Sequence, residues 1–160
     1  MRISTRGRYS LRMMLEIARF SDDETPISLQ DVATWTGISR RYLEQLIIPL
    51  KAARLLRGRS GRAGGYSLTR QPAEIKVGEV LAAAMGPLSL VECVDQERVC
   101  GRTGTCECRQ LWILLSDRVR DMLDEYSLAD LADPTWLART SRRINTRRQQ
   151  RANPRNEVKS

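Results

Sequence analysis

A chain of 160 residues with 41% apolar content has room for one ordinary domain and an appendage. Its longest apolar runs, Leu46-Ile47-Ile48-Pro49-Leu50 and Val80-Leu81-Ala82-Ala83-Ala84-Met85, are too short to span a bilayer, and no signal-peptide core follows Met1, so a cytoplasmic protein with no membrane partner is expected. The net charge of +8 is unevenly divided: residues 1–72 carry 13 Lys or Arg against 6 Asp or Glu, residues 73–138 carry 6 against 12, and residues 139–160 carry 8 against 1, so the two ends suit a polyanion and the middle repels one.

The first predicted helix runs from Arg8 to Phe20, with Tyr9, Met13, Met14 and Ile17 on one face. Asp22-Asp23-Glu24-Thr25-Pro26 breaks it. Ser28 and Asp31 have capping-box spacing, with Ile27 placed as a staple, and open a short helix that Gly37 closes after Thr36. Ser39 caps the next helix, which turns Tyr42, Leu43, Leu46, Ile47 and Leu50 inward and is expected to bend or break near Ile48, before Pro49. Two short helices joined through a glycine make a helix-turn-helix. Arg54 to Arg59 predicts a strand, Ser60 to Gly65 a glycine-rich turn and Tyr66 to Leu68 the returning strand, which together form a wing. A phosphate-binding loop is the weaker reading, because no Lys-Ser/Thr ending follows and no helix is opened.

A fourth helix is predicted over Lys76–Met85, and no apolar periodicity survives between Leu90 and Arg109. A long helix returns over Gln110–Tyr126, with Leu111, Leu115, Val119 and Met122 along one side. Its stripe is broader than one small winged domain covers, which predicts pairing with a second copy. Ser127 and Asp130 cap a short closing helix, and the tail after Thr140 has too little to bury to be ordered. The expected fold is mainly α, in four parts: a winged helix-turn-helix domain (1–86), a cysteine-rich loop (87–109), a dimerisation helix with its closing helix (110–138) and a disordered basic tail (139–160).

A helix-turn-helix sets the N-terminal end of its second helix against base edges in the major groove. Here that end carries Ser39, Arg40, Arg41, Glu44 and Gln45, with Tyr42 facing either sugar and backbone or the core. Arginine reads guanine bidentately and glutamate accepts from a cytosine amino group. Arg59 and Arg62, with Gly64 and Gly65, are the wing's candidates for the minor groove or its phosphates, and Arg2, Arg6 and Arg8 suit backbone phosphates. No histidine, flanking carboxylate pair or activated nucleophile suggests an enzyme. A nonspecific architectural DNA binder would not need a capped recognition helix.

Cys93, Cys100, Cys106 and Cys108 fall within 16 residues, and the chain has no other cysteine. A reducing compartment disfavours disulfides, and a structural zinc favours paired C-x2–4-C knuckles that are absent here. Irregularly spaced thiols in a glycine-bearing loop suit an iron–sulfur cluster as the leading reading, with a thiol redox switch, zinc and no chemistry as alternatives. Arg98, Arg102 and Arg109 are placed to offset the charge of thiolates.

The opening Met1-Arg2-Ile3-Ser4-Thr5-Arg6-Gly7-Arg8-Tyr9, the stretch Ile38 to Leu46, the wing end Gly64-Gly65-Tyr66-Ser67-Leu68 and Ile75-Lys76-Val77-Gly78-Glu79-Val80 together resemble the Rrf2 family of bacterial transcription regulators, especially its cluster-sensing branch, over about residues 1–135. The resemblance implies a homodimer with crossed long helices, a partly palindromic double-stranded DNA operator and an iron–sulfur cluster, 2Fe–2S or 4Fe–4S, that tunes binding. Cys93, Cys100 and Cys106 are similar to the family's three cysteine ligands. Arg109 stands where some members have a histidine ligand and Arg8 where others have an acidic one, which leaves Cys108 as the candidate fourth ligand. The wing also departs from the family, reading Ser60-Gly61-Arg62 where Arg-Gly-Pro is usual. Members that control cysteine metabolism have no cluster, so the alternative is a metal-free repressor governed by thiol oxidation or by a regulatory protein partner.

Overall fold

The structure is a computed structural model that describes residues 3–20, 25–61 and 63–152, with side chains through Gln149. Helix α1 (Thr5–Phe20) begins three residues before the expected start, because Ser4 caps it: its Oγ accepts from the Gly7 N–H at 3.1 Å and its carbonyl from the Arg8 N–H at 3.0 Å. Its inner face is Ser10, Met13, Met14 and Ile17. Helix α2 (Leu29–Thr36) is capped by Ser28, whose Oγ accepts from the Asp31 N–H, and ends at Gly37 with φ 69°. The break expected at residues 22–26 falls largely outside the described residues.

Helix α3 (Arg40–Ala52) starts from Ser39, whose Oγ accepts from the Tyr42 N–H at 3.4 Å. It runs unbroken through Pro49, so of the bend or break expected near Ile48 the break does not occur. Pro49 sits in the last turn, where only the Gln45 carbonyl loses its donor, and Leu46 and Leu50 on either side are fully buried. Arg54, expected in a strand, instead turns the chain with φ 55°, and the Leu55 N–H closes back on the Leu50 carbonyl at 2.9 Å. Strands β1 (Leu56–Arg59) and β2 (Gly65–Leu68) then pair antiparallel, with Leu56 opposite Leu68.

Helix α4 (Val77–Met85) is followed by the short helix α5 (Glu92–Asp95), the long helix α6 (Glu107–Asp124), α7 (Leu128–Ala132) and α8 (Trp136–Ala152). One core joins α1, α2, α3, both strands and α7; a smaller one gathers Val77, Leu81 and Leu88 with Leu123 and Tyr126 beside them. Backbone bonds from Val77 N–H to the Tyr126 carbonyl and from Leu128 N–H to the Ile75 carbonyl, both 2.9 Å, tie α4 to the end of α6. Helix α6 begins at Glu107, three residues earlier than expected, with Cys106 as its cap residue. The tail is corrected more fully. Residues 139–152, expected to be disordered for lack of apolar contacts, continue a helix that buries no described residue. No described helix is long and apolar enough to cross a membrane.

Candidate nucleic-acid interface and cysteine segment

The N-terminal end of α3 is an exposed polar surface, because the helix turns Leu43, Leu46, Ile47 and Leu50 into the core. Ser39, Arg40, Arg41, Glu44 and Gln45 all lie in solvent. Arg40 Nε donates to Glu44 Oε1 at 3.2 Å, and both side chains remain more than half exposed. The two candidate base readers are therefore already partners, and a base edge must compete with this pair. Tyr42 is half-buried and meets Tyr9 edge-on at 6.0 Å, so its ring fixes α3 against α1. Ser39 spends its oxygen on the cap, which leaves its hydroxyl proton available.

The wing is stitched to the helix-turn-helix by backbone. Ile27 N–H donates to the Tyr66 carbonyl at 2.9 Å, and Tyr66 N–H to the Ile27 carbonyl at 2.8 Å. Any side chain at Gly65 would run into the Ile27 carbonyl, so the close approach needs glycine. A cleft of about 390 Å³ opens between the α2 start, the α3 start and the wing, lined by Ser28, Gln30, Arg40, Glu44, Gly64 and Gly65 among others. Gln30 was missed by sequence reasoning, although the Ser28 cap already placed it in the first turn of α2. Arg57 was missed as well; its Nε donates across the hairpin to Ser67 Oγ at 3.0 Å.

Arg59 is exposed, as are Arg6 and Arg8, and Arg8 donates to Thr5 Oγ1 at 3.2 Å. Arg12, also exposed, reaches the Thr36 carbonyl at 3.5 Å and lies over the Tyr9 ring, so it closes the α2 end. Arg2 and Arg62 lie outside the described residues.

The cysteine segment is not gathered. Cys93 lies in α5, Cys100 follows a single turn at Glu97–Val99, Cys106 caps α6, and Cys108 is exposed on α6; all four are free thiols. Among the described residues no three Cys, His, Asp or Glu side chains come close enough to hold a metal ion. As arranged, the donors do not fit an iron–sulfur cluster. The segment is organised instead by Arg109, whose Nε donates to the Cys93 carbonyl at 2.8 Å and whose Nη2 meets Glu97 Oε1 at 3.1 Å; its side chain is only 11% exposed. Just ahead of it, Leu90 N–H donates to the buried Ser116 Oγ at 3.1 Å, and that hydroxyl donates to the Trp112 carbonyl at 2.7 Å. The start of the segment is thus fastened to α6, into which its end runs.

The apolar stripe of α6 is left open in the single chain. Leu111, Leu115 and Met122 are exposed, as is Leu114, while Val119 is half-buried.

Comparison with known proteins gives the same architecture. The family model Rrf2, described as an iron-dependent transcriptional regulator, matches residues 3–134, which ends before α8. The HTH-type transcriptional regulator CymR of Bacillus subtilis is 39% identical over 135 residues, covering 84% of this chain and 92% of that protein. The regulator IscR of Aliivibrio salmonicida is 36% identical over 145 residues, covering 91% and 85%. Among solved structures, that of CymR, titled the global cysteine regulator of B. subtilis, superposes with a TM-score of 0.68 at 39% identity, covering 82% of this chain and 96% of that one. IscR of T. potens superposes with a TM-score of 0.65 at 31% identity, covering 82% and 85%. Fold, polar recognition helix and relatives agree: the chain belongs to the Rrf2 family and is a winged-helix DNA-binding transcription regulator, not an enzyme.

Proposed function

We propose that this regulator is a cytoplasmic homodimer that reads a double-stranded DNA operator through the α3 start and the wing, and that the state of segment 93–108 sets its grip. The observation that carries the reading is the shared cleft: Arg40 and Glu44 of α3 face Gly64 and Gly65 of the wing across one opening. A surface with helix and hairpin side by side suits a duplex, with base readout from the helix and backbone contact from the wing. The exposed α6 stripe supports pairing, because contiguous apolar faces of this kind mark interaction sites. Arg6 and Arg8 serve the phosphates.

Two effector readings divide along the two kinds of relative. The geometry favours the metal-free one: among the described residues no three donors come close enough to hold a metal, and Arg109 is bonded to the Cys93 backbone. Thiol oxidation or a regulatory protein partner would then act on the segment. The iron–sulfur reading is supported by the crowding of Cys93, Cys100 and Cys106 on one short segment and by the IscR relatives. It requires the segment to refold around 2Fe–2S or 4Fe–4S, with Cys108 as the fourth thiol.

Anaerobic purification separates them: a colourless, iron-free protein that still selects one operator from a random DNA library supports the metal-free reading. Stoichiometric iron and sulfide with a visible absorption band would replace it by the cluster. Failure to enrich any sequence would reject operator recognition itself.

A further inference from the structure

Helix α8 stands outside everything the fold needs. Among the described residues, the contacts that hold it lie in its first turn, where Trp136 meets Tyr126 edge-on at 5.1 Å and Arg139 reaches Asp133 at 3.5 Å. From Ser141 to Gln149 every residue is exposed. The helix carries no carboxylate at all, and Arg139, Arg142, Arg143, Arg147 and Arg148 follow one another along it. Arg139, Arg143 and Arg147 recur at four-residue spacing and so stack on one face, with Arg142 at its flank. Like charges at that spacing repel and oppose the helix. Among the described residues, Arg142, Arg143, Arg147 and Arg148 meet no carboxylate. An exposed helix so charged needs a polyanion beside it.

Two polyanionic surfaces are within the chemistry of this protein. One is the acidic side of α6 in a second copy. That side is already partly neutralised, since Asp117 is paired with Arg120 at 2.6 Å and the same helix also carries Arg118. The other is the duplex that the regulator binds, whose phosphates offer unneutralised charge at every step. We infer that α8 is a second DNA-contacting element, a basic helix that lies along the phosphate backbone and adds sequence-independent affinity to the winged domain. It spans about 25 Å at helical rise, enough to follow several phosphates. Backbone contacts of this kind position a protein without reading sequence.

The test uses the full chain and a random-sequence duplex of about 40 base pairs, with affinity followed by fluorescence anisotropy between about 50 and 200 mM NaCl. In the variant R142Q/R143Q/R147Q/R148Q the slope of log K against log[NaCl] is expected to become shallower by up to about 3.6, since each of the four lost phosphate contacts removes about 0.9. Affinity at the lowest salt should fall at least tenfold, while oligomeric state and thermal midpoint stay unchanged. Amide exchange supplies an independent reading: residues 141–149 of the unmodified chain should gain protection when the duplex is added. An unaltered salt slope overturns the proposal, and so does an absence of protection. A variant that changes its oligomeric state while keeping its slope would assign α8 to another copy of the chain instead. Absence of any salt-dependent binding by the unmodified chain would overturn the DNA-binding reading together with this one.

Discussion

Arg109 Nε donates to the backbone carbonyl of Cys93 at 2.8 Å, which joins the first turn of α6 to the short helix that carries the first cysteine. A charged donor on a partly buried carbonyl such as this one contributes up to roughly 1.5–3 kcal/mol when geometry is good. The Glu97 partner is exposed and adds little beyond this. R109A should therefore loosen the segment while leaving the winged domain folded. Alkylation followed by mass spectrometry is expected to show faster modification of Cys93, with Cys108, which is already exposed, unaffected. Equal rates at Cys93 in both proteins would show that Arg109 does not hold the segment.

The Arg40–Glu44 pair makes a prediction about discrimination. R40A should cost about 1–3 kcal/mol on the operator and little on random DNA, whereas R6A should weaken both alike. E44A releases Arg40 from its partner. It is expected to raise affinity for random duplex and to narrow the gap between operator and random sequence. Binding isotherms at one fixed salt concentration decide this, and a wider gap in E44A would contradict it.

Dimerisation is tested on the residues that the single chain leaves in solvent. Leu115 and Met122 are exposed on α6, so L115D/M122D leaves both cores intact while putting four carboxylates into the proposed seam. Sedimentation should give monomers with native circular dichroism and weak DNA binding. A variant that still sediments as a dimer would place the interface elsewhere.

The α7 cap predicts an acid dependence. The Ser127 hydroxyl and backbone N–H both donate to the Asp130 carboxylate, and these bonds hold its pKa below the usual value. Asp133 is held low in the same way by the Thr135 N–H and hydroxyl. A folded-state pKa below the unfolded one gives stabilisation that is complete above the unfolded value and lost as pH falls through the folded one. S127A should thus cost about 1 kcal/mol at neutral pH. The gap between the thermal melts of the two proteins should narrow as pH drops below about 4, down to the part owed to the Asp130 N–H bond on Ser127 Oγ, which does not titrate. A constant difference down to that range would show that the carboxylate is not involved.

The winged domain was legible in the sequence because its signals are local. Ser28, Gly37 and Ser39 mark helix ends through bonds within three or four residues, and the structure keeps each of them. What escaped depends on distant partners. The Ile27–Tyr66 bridge joins residues far apart in sequence, and nothing at Ile27 announced more than a staple. Arg109 was read as a counter-charge to thiolates, since the carbonyl it holds belongs to Cys93, 16 residues earlier. The tail was misjudged for another reason. Lack of apolar residues rules out burial, and α8 is indeed exposed, but burial is not a precondition for helical backbone.

The pair of backbone hydrogen bonds between Ile27 and Tyr66 has a kinetic meaning for DNA binding. A hairpin whose returning strand is fastened to Ile27 by two backbone bonds brings its base to the duplex already in place, so less ordering has to accompany contact. Encounter is then limited by orientation of a rigid die rather than by the search of a flexible arm. The offset between helix and wing is fixed before binding, and it must match the offset between a major groove and the minor groove beside it. A chain with G65A, forced away from the Ile27 carbonyl, would lose that fixed offset. Its complexes should dissociate faster even where every DNA-facing side chain is retained.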